Sequence, residues 1–436
     1  MDTTRYFDRI ILFETIRDDE VAARLAELLH DTTTDAELVK ATRDAFNTTQ
    51  RNLMSSLGNG EISGNYLQDH FCRLIAESEN VFTKMSEDGV FKNLTPGVSA
   101  AELSKSLAPE AETVIMLAAR EIKLITEVYR FKFEKYKKTT DDYDIAAVPV
   151  SKTEKLSNRE MIHSAMMRDD SLDAAILLSG FYQSYGSGIL QASAALSAED
   201  DGLQPVKNID EISLDDIIGC ESQKHMLVDN MEILLSGLPA NNMLLYGDSG
   251  TGKSSTVKAL LNKYAPCGLK MISVAKNKLY LLPGVMEMIA DRGMKFIIFI
   301  DDLSFEENEH EYKAFKSIIE GRIAPRPKNT VFIVTSNRKN IVKEVWRDRE
   351  DQDDVRRRDN IQEKRSLADR FGITLVFSAP DKNEYLAIVR GIANKAGLSM
   401  PDEELTAEAL KWEIRHGGRS GRAARQYVDY MIGIKR

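Results

Sequence analysis

The chain has 436 residues, room for two or three domains, of which 43% are hydrophobic and 29% charged. No apolar run approaches the ~18 residues of a membrane helix, and a formal charge of -10 argues against a generic nucleic-acid or anionic-membrane surface, leaving only a local basic face for such contacts. The N-terminal residues lack the apolar core of a signal peptide, and Cys72, Cys220 and Cys267 lie at long spacings with no C-x-x-C pair, which fits neither a disulfide framework nor a zinc site. The expectation is a cytoplasmic protein with no membrane partner and plain buried thiols.

Up to about residue 198 the chain reads as helix, over 21–30, 36–57, 66–84, 109–136 and 172–196, with no strand alternation. The longest stretch opens with Pro109 in a first-turn position. Its apolar positions Ile115, Ala118, Ile122, Ile125 and Tyr129 repeat at three and four residues, the stripe of a bundle core. Residues 136–144 read as a polar loop, and Gly180, Gly186 and Gly188 beside Tyr182 and Tyr185 as a loosely packed helix end. The polar run 197–205 has the composition of an interdomain linker, which divides the chain into a helical N-terminal domain (1–200), a linker (201–212), an α/β domain (213–380) and a helical C-terminal domain (381–436).

After Ile217, Ile218 and Gly219 comes a helix with Leu227, Met231, Leu234 and Leu235 on one face. A short apolar strand, Met243 to Tyr246, then runs into Gly247-Asp248-Ser249-Gly250-Thr251-Gly252-Lys253-Ser254-Ser255, and Val257, Leu260, Leu261 and Tyr264 mark the helix behind it. Strand, glycine turn and helix start together make the G-x-x-x-x-G-K-[ST] pattern a phosphate cradle. The three glycines let backbone N–H groups converge on an anion, Lys253 adds a fixed charge, Ser254 places a hydroxyl where Mg²⁺ bridging the phosphates would sit, and the helix adds its positive end.

Downstream, strands at 270–274, 295–300, 330–334 and 373–377 alternate with helices at 283–291 and 311–320, the signature of a parallel sheet covered on both faces. The strand Phe296 to Ile300 ends in Asp301 and Asp302, and a carboxylate at that edge of a parallel sheet beside a phosphate loop is suited to Mg²⁺ coordination. Glu306, Glu307, Glu309 and Glu311 raise the local acid count. The strand Val331 to Val334 leads into Thr335-Ser336-Asn337-Arg338, where the Asn337 amide could hold an attacking water. Residues 347–370 are dense in both charge signs and end in Ala368-Asp369-Arg370-Phe371-Gly372 before the last strand. Asp381 and Glu384 then form a helix-start box, Tyr385, Ile388, Val389, Ile392 and Ala396 a helical face, and a final helix begins near Gly421-Arg422-Ala423.

This order of motifs resembles the AAA+ ATPases over about residues 210–436. More narrowly, Asp301-Asp302-Leu303-Ser304-Phe305-Glu306, Thr335-Ser336-Asn337-Arg338 and Ser366-Leu367-Ala368-Asp369-Arg370-Phe371-Gly372 are similar to a bacterial AAA+ family of unknown function, number 815 of the domain-of-unknown-function series. The resemblance implies an AAA+ P-loop fold with a helical lid, binding of ATP or ADP with Mg²⁺, ATP hydrolysis and a homo-oligomer. It assigns Lys253 to the β/γ-phosphates, Ser254 and Asp301 to Mg²⁺, Asn337 as first sensor, Arg422 as second sensor with Arg419 in competition, Ile217, Ile218 and Gly219 to the adenine wall, and Arg370 to a neighbouring subunit's γ-phosphate. The usual acid after the metal-binding aspartate is glutamate; here it is the shorter Asp302, with Glu306 as the alternative base. That family has no settled activity, so the role is a separate expectation: an ATP cycle that changes the conformation of, or remodels, a partner macromolecule, with a protein partner recognised by the N-terminal domain, or else a slowly hydrolysing switch or scaffold, with a nucleic-acid loader disfavoured by net charge.

Overall fold

The structure, a computed structural model, describes residues 6–30, 40–42, 44, 48, 66–130, 157–305, 310–319, 326–337, 370–416 and 418–435. The chain divides into two compact units, Met1–Ala192 and Ser193–Arg436.

The first unit is helical: α1 (Glu14–Arg17), α2 (Glu20–His30), α3 (Tyr66–Glu77), α4 (Val81–Glu87), α5 (Ala100–Ser106), α6 (Pro109–Tyr129), α7 (Ser157–Met166) and α8 (Ser171–Tyr185). The stripe Ile115, Ala118, Ile122, Ile125 and Tyr129 is buried as expected and packs in one core with Phe13, Phe71, Phe82, Phe181 and Tyr182. A carboxylate shares that core. Glu121 is fully buried and accepts backbone N–H groups from Ile11 (2.8 Å), Leu12 (3.0 Å) and Phe13 (3.2 Å), so one helix side chain satisfies a stretch that has no strand or helix partner of its own.

Two helix readings and the linker reading need correction. The 66–84 stretch is two helices, because Asn80 caps α4, its Oδ1 accepting from Thr83 N (3.0 Å) and its own N donating to Thr83 Oγ1 (2.9 Å). The 172–196 stretch ends at Tyr185, where Gly186 takes φ +76°. The 197–205 linker is a β-hairpin: β1 (Ala195–Glu199) and β2 (Gly202–Pro205) pair antiparallel across a turn at Asp200-Asp201, with Gly202 at φ +114°. Its acids misled the composition argument because they sit at the turn, where Glu199 pairs with Lys278 and Asp200 accepts from the Tyr280 hydroxyl. Residues 206–212 are tied down as well, since Asn262 Nδ2 donates to the carbonyls of Asp210 and Ile212 at 2.8 Å each. The helix expected over 36–57 and the loop over 136–144 lie mostly or wholly outside the described residues.

The second unit carries a seven-stranded sheet in the order β2-β1-β4-β5-β6-β3-β7, with β3 (Met243–Gly247), β4 (Leu269–Ser273), β5 (Lys295–Ile300), β6 (Thr330–Ser336) and β7 (Ile373–Phe377). All its pairings are parallel except β1 with β2. Helices α9 (Glu221–Leu235) and α10 (Lys253–Tyr264) pack Leu227, Met231, Leu234, Val257, Leu260 and Leu261 on one face, and α11 (Leu282–Ala290) and α12 (His310–Ile319) connect successive strands. Then α13 (Lys382–Lys395), α14 (Asp402–Arg415) and α15 (Gly421–Lys435) enclose a core of Tyr385, Val389, Leu405, Ala409, Ala424 and Tyr427. The Asp381–Glu384 box caps α13, Asp381 Oδ1 accepting from Glu384 N at 2.8 Å. The expected fold class holds: a mostly parallel sheet covered by helices, a helical region before it and a helical lid after it.

In this order β3 has β6 on one side and β7 on the other, although β4 follows it in the chain. The C-terminal ends of β3 and β6 therefore open onto the crevice where the strand order reverses, which is where ligands of such sheets bind.

Candidate functional site

The loop after β3 is shaped by three glycines at positive φ. Gly247 has φ +143°, and a Cβ there would lie 1.9 Å from the Phe377 carbonyl oxygen, because β7 runs alongside in register. Gly250 has φ +77°, and its Cβ would come to 3.2 Å from the Cβ atoms of Arg422 and Ser420 in the lid. Gly252 caps α10 at φ +95°. The α10 N-terminus is thus presented at the loop with its first N–H groups unspent on the helix.

Lys253, in the first turn of α10, is buried, and its Nζ folds back to donate to the carbonyls of Gly247 and Asp248 (2.7 Å each) and to Asn337 Oδ1 (3.2 Å). Burial pushes its ammonium below the usual value, against the pull of Asp302, Asp248 and Asp301. Ser254 Oγ donates to Asp301 Oδ1 at 2.6 Å, bringing a residue of α10 and the end of β5 together as the motif spacing anticipates.

Sequence reading missed the residue that organises the acids. Thr335 Oγ1, near the end of β6, donates to Asp301 Oδ1 (2.5 Å) and accepts from Asp302 N (2.8 Å). Asp302 takes the left-handed conformation at φ +51°, and Asn337 Nδ2 donates to its Oδ1 at 2.6 Å. Lys253, Asn337, Asp302, Thr335, Asp301 and Ser254 therefore form one hydrogen-bonded chain across the ends of β5 and β6 and the first turn of α10. The signal was present as alternation: Thr335 and Asn337, two apart at a strand tip, face the same side.

A cavity of about 810 Å³ surrounds this chain, and its walls include Ser249, Thr251, Ser255, Ile217, Ile218 and Gly219. Arg422 and Arg425, one turn apart on α15, also line it. Arg419 is not among the lining residues; its Nε is held by Glu413 Oε1 at 2.8 Å within the lid. Arg425 is the second missed residue, legible in principle from its i, i+3 spacing. Backbone joins lid and loop, Gly421 N donating to Gly250 O at 3.0 Å.

Arg370 stands apart. β7 is parallel to β3 from Ile373 opposite Met243 to Phe377 opposite Gly247, so Arg370 precedes the strand at the end of the sheet away from the loop. Gly372 confirms the placement, since a Cβ on it would meet Asn241 Oδ1 at 2.4 Å, ahead of β3. About 13 Å of strand, at ~3.3 Å per residue, lies between. Glu306, Glu307 and Glu309 lie outside the described residues. Of the cysteines only Cys72 is buried; Cys220 is half-buried in the cavity wall and Cys267 is exposed, so the expectation of three buried thiols fails for residues at a helix start and in a turn.

The donors fit a nucleotide with magnesium. Lys253 Nζ spends its protons on carbonyls that phosphate oxygens can replace, and Ser254 with Asp301 offers a hydroxyl and one carboxylate, the sparse oxygen set that Mg²⁺ takes beside substrate phosphates. No group of three or more His, Cys, Asp or Glu able to cage a metal occurs among the described residues. Nor, among them, is any helix long and apolar enough to cross a membrane.

The sheet order and this loop are those of the AAA+ P-loop fold. Among solved structures the chain is similar to the Thermotoga maritima RuvB Holliday junction branch migration motor (18% identity, TM-score 0.36, 51% of this chain and 66% of that one) and to the FIGL-1 AAA domain in complex with ADP (18% identity, TM-score 0.35, 51% and 74%). The chain thus spans just under two thirds of the RuvB chain it matches. No curated protein matches it significantly. A family model described as protein of unknown function, DUF815, matches residues 191–435, more than half of the chain, and the chain belongs to that family.

Proposed function

We propose that this protein binds Mg·ATP in the Gly247–Ser255 cradle and hydrolyses it, and that the cycle drives a conformational change acting on a partner macromolecule held by the N-terminal helical unit. The observation that supports this reading best is the hydrogen-bonded chain from Lys253 through Asn337, Asp302 and Thr335 to Asp301 and Ser254, a cation, a hydroxyl–carboxylate pair and an amide that all line one cavity. Lys253 would hold the β- and γ-phosphates, with Ser249, Thr251 and Ser255 around them. Ser254 and Asp301 would hold magnesium, which when bound neutralises charge developing on the transferred phosphate. Asn337 and Asp302 would orient and activate the water, Arg422 would close the site from the lid, Ile217, Ile218 and Gly219 would wall the base, and Arg370 would complete the site of a neighbouring subunit in a homo-oligomer.

A second reading, a nucleotide-dependent switch that turns over rarely, is favoured by one feature. The Asp302 carboxylate is engaged by Asn337 at 2.6 Å and comes from a backbone at φ +51°, a held group rather than a base free to take a proton. Calorimetry with Mg·ATP tests the common ground: Lys253→Ala should abolish binding, and unchanged affinity in that variant would overturn both readings. Steady-state turnover then separates them, since a remodeller cycles continuously while a switch retains its nucleotide.

A further inference from the structure

The segment 213–219, which supplies Ile217, Ile218 and Gly219 to the cavity wall, belongs to no strand or long helix and is held from three sides. Its short turn Leu214–Asp216 is closed by Asp216 Oδ2, which accepts from Ser213 N (2.8 Å) and Ser213 Oγ (2.9 Å). The lid reaches it through Lys395, whose Nζ donates to the same Asp216 oxygen at 2.7 Å, and through Gly391, where a Cβ would lie 2.2 Å from Ile218 Cδ1. From α9 comes Lys224. Its mostly buried Nζ donates to the Ile217 carbonyl at 2.7 Å and the Leu214 carbonyl at 3.4 Å, and it pairs with Glu221 at 2.7 Å.

Two further features make this lysine decisive. Gly219 and Cys220 follow at φ +82° and +56°, so the backbone reverses hand directly after the wall and has no regular ladder to fix Ile217 and Ile218. A charge-assisted bond from a mostly buried ammonium to the Ile217 carbonyl, which links the two residues, supplies that fixation. None of these bonds of Lys224 is to the phosphate loop.

We propose that Lys224 is a positioning residue for the nucleoside half of the site: it sets the wall 217–219 against which the base packs and takes no part in holding phosphates. This rests on the reading that the cavity takes a nucleoside triphosphate. It follows that the two halves of the ligand are recognised by separable devices, the phosphates by α10 and its loop, the nucleoside by a strap tuned by α9 and the lid.

Calorimetry with two probes, Mg·ATP and Mg·tripolyphosphate, tests this on the full chain. Lys224→Met keeps the stem and removes the donor; ATP affinity should fall about tenfold, the scale of a lost bond to a charged group, with tripolyphosphate affinity unchanged and Lys224→Arg restoring most of the loss. Equal weakening of both probes, or of neither, would overturn the proposal, whereas failure of wild-type protein to bind either probe would overturn the nucleotide reading beneath it. Should Lys224→Met fail to fold, Gly391→Ala serves, since alanine is favoured in the helix interior while its Cβ displaces Ile218; the same selective loss of ATP affinity is expected, and an unchanged ratio of the two affinities would overturn the proposal.

Discussion

At the scale of single residues the site is built from atoms that do two jobs. Thr335 Oγ1 is both donor to Asp301 and acceptor from Asp302 N, so neither carboxylate position is independent of β6. Asp302→Asn keeps the shape but removes the proton acceptor, and the expected outcome is retained ATP with no turnover, read by nucleotide retention on a desalted sample and by phosphate release. Loss of turnover in Glu306→Gln but not in Asp302→Asn would assign the base to Glu306. Gly247 gives a conformational test of the same loop. Alanine there meets the Phe377 carbonyl at 1.9 Å and must hold φ near +143°, so Gly247→Ala should cost about 3 kcal/mol or more and lower the thermal midpoint of the second unit. A midpoint within error of wild type would mean that β3 and β7 part more easily than their register suggests. These motif residues were legible because phosphate chemistry requires their types at fixed offsets. Thr335 and Arg425 were not read because a threonine in a strand and an arginine in a helix are ordinary in one dimension, and only the alignment of the β5 and β6 ends, α10 and a lid gives them a role.

At the scale of elements, patterns that repeat were readable and those that depend on a distant partner were not. The α6 stripe and the apolar β5 announce themselves by period and length. The hairpin β1–β2 did not, because Glu199 and Asp200 find their partners in Lys278 and Tyr280, some eighty residues on. Glu121 is the sharper case. It falls within the apolar stripe of α6, between Ala118 and Ile122, and sequence alone places a charge there at odds with the core; the backbone of residues 11–13 resolves the conflict. Glu121→Ala leaves the buried N–H groups of Leu12 and Phe13 without their acceptor in the core, and that of the exposed Ile11 at its edge, so the N-terminal unit should lose about 2–4 kcal/mol in chemical denaturation, with Glu121→Gln, which keeps one acceptor oxygen, losing less. Equal stability of all three proteins would show that residues 11–13 find other partners without cost.

At the scale of the whole molecule the question is whether one chain makes a complete site. Arg370 is exposed at the end of the sheet opposite the phosphate loop, more than a strand length from Lys253 and Ser254. No rotamer brings its guanidinium to phosphates bound in its own chain, so a catalytic role requires a second copy that presents its sheet edge to the first cavity. Arginines supplied in this way are worth ~10³ to 10⁵ in rate among phosphate-loop enzymes, whereas a surface ion pair contributes ~1 kcal/mol at most and would leave turnover untouched. Hydrolysis per subunit should therefore rise with protein concentration as copies assemble. Arg370→Ala should bind ATP with wild-type affinity and lose turnover. The decisive measurement mixes it with Lys253→Ala: neither variant turns over alone, yet an intact loop from the first and an intact arginine from the second meet at a shared interface, and partial activity should return in proportion to such interfaces. Full activity from a monomer at every concentration, unaffected by Arg370→Ala, would confine that residue to the surface and shift the protein toward the single-chain switch.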